Sequence, residues 1–169
     1  MSKIIKIMKI SKIISGGQTG VDRAALDVAI ELDIEHGGFV PKGRLSEDGR
    51  ISLKYNIIEL ENEDYSARTL KNVQYSDGTL ILHKGEITSG TALTEEFCYL
   101  EKKAVQTINI LDEFTVIRVN LDTWLETNTI SILNIAGPRE SEAHIYKNAK
   151  VLLMRLLNVP FMIHIPKIK

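Results

Sequence analysis

Three short segments hold the residue types best suited to chemistry. They are Ser15-Gly-Gly-Gln-Thr-Gly-Val-Asp-Arg23, Gly85-Glu-Ile-Thr-Ser-Gly-Thr91 and Ala136-Gly-Pro-Arg-Glu-Ser141. Each mixes glycine with hydroxyl, amide or charged side chains. Glycine tolerates positive φ and lets a ligand come close to the backbone. A loop of this kind that opens a helix presents unpaired N–H groups and the positive end of the helix dipole. The chemistry on offer is anion binding, with phosphate as the natural example. One Gly-Gly turn after a strand means little, but three in one chain argue for a ligand.

None of the three is a better-known phosphate loop. The first lacks the Lys-Ser/Thr ending of a P-loop, and its glycines do not follow G-x-G-x-x-G. Asp22 and Arg23 fall in the first helical turn, where two readings stay open. Either Asp22 caps the helix and Arg23 is a solvated charge, or Asp22 accepts ligand hydroxyls while Arg23 or Arg139 pairs with phosphate. A fourth segment, Gly37 to Gly49, is a long loop carrying Lys42 and Arg44, which can close over an anion or simply be solvated. His36, His83, His144 and His164 show no metal-ligand spacing, so no protein-ligated metal is expected. No Ser-His-Asp order and no basic-aromatic interleaving for nucleic acid stands out.

The elements that must position these loops alternate. Ile10 to Ser15 reads as a strand. The helix Thr19 to Leu32 follows, with Val21, Ala24, Ala25, Val28, Ala29 and Leu32 on one face. A helix over Ser66 to Tyr75 leads to a strand over Thr79 to His83. Next comes a helix over Thr91 to Lys103, with Leu93, Phe97 and Leu100 on one side. Val105 to Ile110 and Phe114 to Val119 read as strands, Trp124 sits in a short helix, and Ile130 to Ile135 is an apolar strand. The last helix spans Ser141 to Leu157, with Tyr146, Ala149, Leu153 and Leu156 facing inward. Strands apolar on both faces, alternating with helices, predict a mainly parallel α/β sheet covered on both sides. Such sheets bind ligands beyond the carboxyl ends of their strands.

Composition bounds the rest. The 169 residues are 44% hydrophobic and 25% charged, with a formal net charge of −1. That fits one domain over 1–169, with 1–9 as an N-terminal extension, and gives no global field toward nucleic acid or membranes. Cys98 is the sole cysteine and is expected to be a buried structural thiol. Lysines at positions 3, 6, 9 and 12 interrupt the apolar N-terminus, so a signal peptide is not expected and the default is cytoplasmic.

Five segments in order make the chain recognisable: Ser15 to Leu26, Gly37 to Arg44 with Glu47-Asp-Gly49, Ser76 to Ile81, Thr88 to Thr91 with Thr94, and Asn134 to Ser141. Together they resemble the family known as putative molybdenum carriers, the circularly permuted YpsA-like branch of the SLOG superfamily. The match runs from Ile13 over nearly the whole chain. The resemblance implies a Rossmann-like fold, assembly into dimers or larger oligomers, and a nucleotide-derived or molybdopterin-type ligand such as molybdenum cofactor. Carried over, the binding residues are Gly16, Gly17, Gln18, Thr19, Gly20, Asp22 and Arg23, then Lys42, Gly43 and Arg44. Ser89, Gly90, Thr91 and Thr94 follow, and finally Gly137, Pro138, Arg139 and Glu140. No catalytic residue is implied. Two departures are visible. Ser89 stands where the family commonly has glycine, and Thr94 stands where the related phosphoribohydrolases place a glutamate. A threonine is no carboxylate base, which favours a binding protein over a nucleotide-processing hydrolase. A purely structural or assembly role is the third reading.

Overall fold

The computed structural model describes residues 5–8, 10–158 and 161–164. Five strands form the main sheet: β2 (Lys12–Ile14), β3 (Glu35–Gly37), β8 (Gly78–His83), β9 (Ala104–Asn109) and β10 (Ile132–Ala136). Their order is β3-β2-β10-β8-β9, and all neighbours run parallel. Short pairs lie outside it. β1 (Ile5–Met8) joins β11 (Phe161–His164) antiparallel, β4 (Phe39–Val40) pairs with β7 (Ile58–Glu59), and β5 (Leu45–Ser46) with β6 (Gly49–Arg50).

Among the described residues six α-helices connect these strands: α1 (Val21–Glu31), α2 (Tyr65–Gln74), α3 (Ser89–Leu100), α4 (Phe114–Thr127), α5 (Glu140–Ala143) and α6 (Tyr146–Leu157). Alternation along β8 decides which face each helix covers. Leu80 and Leu82 join Leu133 and Ile135 in one buried cluster with Ala25 and Val28 of α1, Leu121 and Leu125 of α4, and Leu153 and Leu156 of α6. Thr79 points the other way, toward Cys98 of α3, whose thiol is pushed up by burial. α2 and α3 pack together on that side. This is a Rossmann-like α/β fold with helices on both faces of a parallel sheet.

Three sequence expectations change. Phe114 to Val119, read as a strand, forms the first turns of α4, which also contains Trp124. The β-branched run Thr-Val-Ile-Arg-Val imitates a strand, but Ile117, Leu121 and Leu125 are buried at helical spacing. In α3 the buried residues are Thr91, Thr94 and Cys98, whereas Leu100 is 67% exposed. A helix lying over the polar end of a sheet can bury hydroxyls there, so its apolar stripe does not mark its inner face. The last helix is two helices, because His144 takes a left-handed φ of 46° between α5 and α6. Ala149, Leu153 and Leu156 are buried as expected.

Candidate functional site

β2 and β10 are adjacent at the centre of the sheet, so their two glycine loops meet although about 120 residues separate them. The Ser15 hydroxyl donates to the Ile135 carbonyl at 2.7 Å. Beyond it, Val21 N–H donates to the Pro138 carbonyl at 3.3 Å and Glu140 N–H to Thr19 Oγ1 at 3.1 Å. A Cβ on Gly20, whose φ is 75°, would overlap the Pro138 carbonyl, so this close crossing requires glycine.

The crossing leaves a narrow cleft of about 120 Å³ beyond the carboxyl ends of β2, β10 and β8. Of the residues expected at the site, Gly16, Gln18, Asp22, Gly90, Thr91, Thr94, Gly137 and Arg139 line it. Thr19, Gly20, Arg23 and Glu140 instead line a broader groove of about 520 Å³ beside the loop crossing, where Asp27, Glu47 and Tyr55 join them. Gly17, Ser89 and Pro138 line neither. Nor do Lys42, Gly43 and Arg44. The Arg44 guanidinium is buried and donates to the carbonyls of Ile51, Ser52, Tyr55 and Ile57 at 2.9–3.2 Å, a structural role that ties down the 51–57 loop.

Asp22 lines the cleft and is 5% exposed. Its Oδ2 accepts from Arg68 Nη1 at 2.9 Å and from the Gln18 N–H at 3.4 Å. Burial pushes its pKa above the usual 3.8, and the Arg68 guanidinium offsets that only in part. Arg68 comes from α2 and lies over Gly16, where any Cβ would collide with it. Gln18 is 6% exposed, and its Oε1 accepts from the N–H groups of Thr19 and Glu47 at 3.0 and 2.9 Å. Thr94 Oγ1 donates to the Gly90 carbonyl, and Glu95 accepts from Thr107 on β9. The carboxylates of the cleft lining are therefore Asp22 and Glu142, each beside an arginine.

The groove beside the crossing is internally satisfied. Glu47 accepts from the Thr19 hydroxyl, the Ser141 hydroxyl and the Ser141 N–H, and these bonds outweigh desolvation to hold its pKa below normal. Arg23 donates to Asp48 and to the Gly17 carbonyl. Asp27 accepts from Lys54, Tyr55 and Tyr146. Thus Arg23 acts as a tie between loops and leaves the cleft to Arg68 and Arg139.

Arg68, Tyr65, Asn72 and Asn134 also line the cleft, and sequence reasoning did not single them out. Asn134 had a visible signal, a polar residue inside an apolar strand. Its side chain donates to Thr79 Oγ1 at 3.1 Å. Arg68 had none, since an arginine on a polar helix face looks solvated.

Comparison with known proteins identifies the family and the fold. The model of the circularly permutated YpsA SLOG family matches residues 13–157. A crystal structure from Syntrophus aciditrophicus SB, described as a "Putative molybdenum carrier protein", matches with a TM-score of 0.87 and 44% sequence identity, covering 91% of this chain and 98% of that one. A search of curated proteins finds no match. With one family model spanning most of the residues that build sheet and cleft, the chain belongs to the circularly permutated YpsA SLOG family.

Proposed function

We propose that this protein binds a phosphate-bearing small molecule, nucleotide-derived or of the molybdenum-cofactor type, in the cleft between α1, α2, α3 and the Gly137–Glu140 loop. The observation that carries this reading is the convergence of three glycine-bearing loops on one cleft at the carboxyl ends of parallel strands. The N–H groups at the start of the 12-residue α3 have no side-chain cap, and a Cβ on Gly90 would meet nothing within 4 Å. Backbone donors are thus open to an anion. A molybdenum-cofactor phosphate fits this donor set. The cleft is too small for its heterocycle, for which the half-exposed Tyr65 at the lining is the available aromatic. Hydrolysis is not favoured, because Thr94 supplies no carboxylate and Glu95 faces β9.

Arg139 supplies the test. Its side chain is 40% exposed and 3.5 Å from Glu142, a pair of little value to folding. Arg139→Ala is expected to weaken binding of AMP by about 1.5–3 kcal/mol with an unchanged melting temperature. Lost stability with unchanged affinity removes Arg139 from the site.

The same reading places the protein in the cytoplasm as a homo-oligomer, a dimer or tetramer. Tyr99 and Leu100 on α3, Val116 and Val119 on α4 and Val151 on α6 are each more than half exposed, which supports self-association. Of the apolar Leu152 to Ile165 stretch, residues 159, 160 and 165 lie outside the described residues. Among the described residues no helix is long and apolar enough to cross a membrane. Light scattering is expected to show more than one copy per particle, and a monomer at all micromolar concentrations refutes this.

A further inference from the structure

Among the described residues, three buried side-chain atoms lack a hydrogen-bond partner: Gln18 Nε2, Arg68 Nε and Asp122 Oδ1. Gln18 and Arg68 both line the cleft, whereas Asp122 belongs to α4. An unmet buried donor costs about 1–3 kcal/mol, so two in one small space favour an occupant that offers them acceptors.

The Gln18 amide cannot relieve its deficit by turning over. Its Oε1 already accepts from two backbone N–H groups, of Thr19 and Glu47, and a flipped amide would set NH2 against both. Nε2 is therefore fixed as a donor. Arg68 is held by the bond from Nη1 to Asp22, leaving Nε–H as the second unmet donor. Both deficits have the same sign. What fills the cleft must bring acceptors.

Size narrows the class further. About 120 Å³ equals the liquid volume of about four waters and falls well below the roughly 300 Å³ at which small-molecule pockets begin. A whole nucleotide is not enclosed by the cleft, but a central atom with four oxygens is. Charge does not oppose this, since each lining carboxylate sits beside an arginine, Asp22 at Arg68 and Glu142 at Arg139, and the start of α3 has no side-chain cap.

We propose that the cleft is a seat for one tetrahedral oxyanion, held by Gln18 Nε2 and Arg68 Nε, with Gln18 as the residue that selects acceptor oxygens. The oxyanion arrives as a free ion or as the terminal phosphate of a larger molecule. This rests on the anion-binding reading above and specifies its ligand group.

The test is calorimetric titration of the full chain with inorganic phosphate, with molybdate and with AMP. Wild type is compared with two variants. Gln18→Glu keeps an oxygen for the Thr19 and Glu47 N–H groups and replaces the donor by a carboxylate oxygen. Arg68→Lys keeps a cation for Asp22 and deletes Nε–H. Each is expected to weaken binding by about 10- to 100-fold, the value of a hydrogen bond to a charged group. Melting curves of both variants should show a folded protein, and loss in Arg68→Lys supports the seat even where Gln18→Glu proves unstable. Binding of phosphate or molybdate identifies the free ion as ligand, and binding of AMP alone identifies a terminal phosphate. If AMP or the free ions bind equally well to wild type and to both folded variants, the seat is refuted while the anion-binding reading survives. No binding of any of the three to wild type overturns both.

Discussion

Asp22→Ala is expected to cost about 3 kcal/mol of stability, because it leaves the Arg68 guanidinium buried with no carboxylate. The two side chains are 7% and 12% exposed and 2.9 Å apart, so solvent does little to replace the lost partner. The ion pair itself need not be a net gain. Burial wins over Arg68 in setting the Asp22 pKa above normal, which means that folding shifts Asp22 toward its neutral form. Asp22→Ala combined with Arg68→Met should therefore recover much of the loss, as uncharged replacements of buried pairs often do. The sign of the pH effect follows from the raised pKa. The Asp22 contribution is fully present below the unfolded value of 3.8 and is lost as pH rises through the folded value. Asp22→Asn should consequently compare better with wild type at pH 7 than at pH 3.5. Denaturant midpoints at both pH values check this, and a difference independent of pH contradicts it.

Gly38→Ala should be still more damaging. Gly38 has φ 137°, and a Cβ there would overlap the Ser15 carbonyl oxygen, with Ser15 N and C each 3.0 Å away. All of these are backbone atoms at the end of β2, where Ser15 N–H donates to the Gly37 carbonyl at 3.1 Å. Neither chain can yield without breaking the β2–β3 pairing that aims the first glycine loop. Strain of about 1–3 kcal/mol adds to a similar overpacking term, for roughly 3–5 kcal/mol in all. Gly49→Ala is the control. Its φ is 109°, but nothing lies within 4 Å of a new Cβ, so only the backbone strain should remain. Equal midpoint shifts for the two variants would show that contact with Ser15 plays no part.

The parts of this fold legible in the sequence are those whose pattern is local. The α1 stripe from Val21 to Ala29, the apolar strands and the glycine loops all announce themselves within a few residues. The sheet rule then indicates where those loops gather, and the crossing of the Thr19 and Pro138 segments is found there. What remained hidden depends on partners far along the chain. Arg44 looks like a ligand cation until the four carbonyls of the 51–57 loop surround it. Arg68 looks solvated until α2 lays it over Gly16. Phe114 to Val119 is ambiguous because β-branched residues suit strands, and only the buried spacing of Ile117, Leu121 and Leu125 settles it as a helix. In α3 the burial of threonines follows from the polar cleft beside it, which no hydrophobic stripe encodes.

The seam between β2 and β10 also dictates when the protein can work. The Ser15 to Ile135 and Thr19 to Glu140 bonds close loops of 120 and 121 residues, most of the chain. Such closure is entropically unfavourable until the segments between are already ordered, and it places these contacts late in folding. During synthesis the first glycine loop emerges early, yet its partner appears only after residue 140 has left the ribosome. A truncated or half-made chain therefore lacks the cleft. Ligand added during refolding should act on the last step, slowing the opening of the finished molecule rather than hastening the collapse of the β8–β9 half.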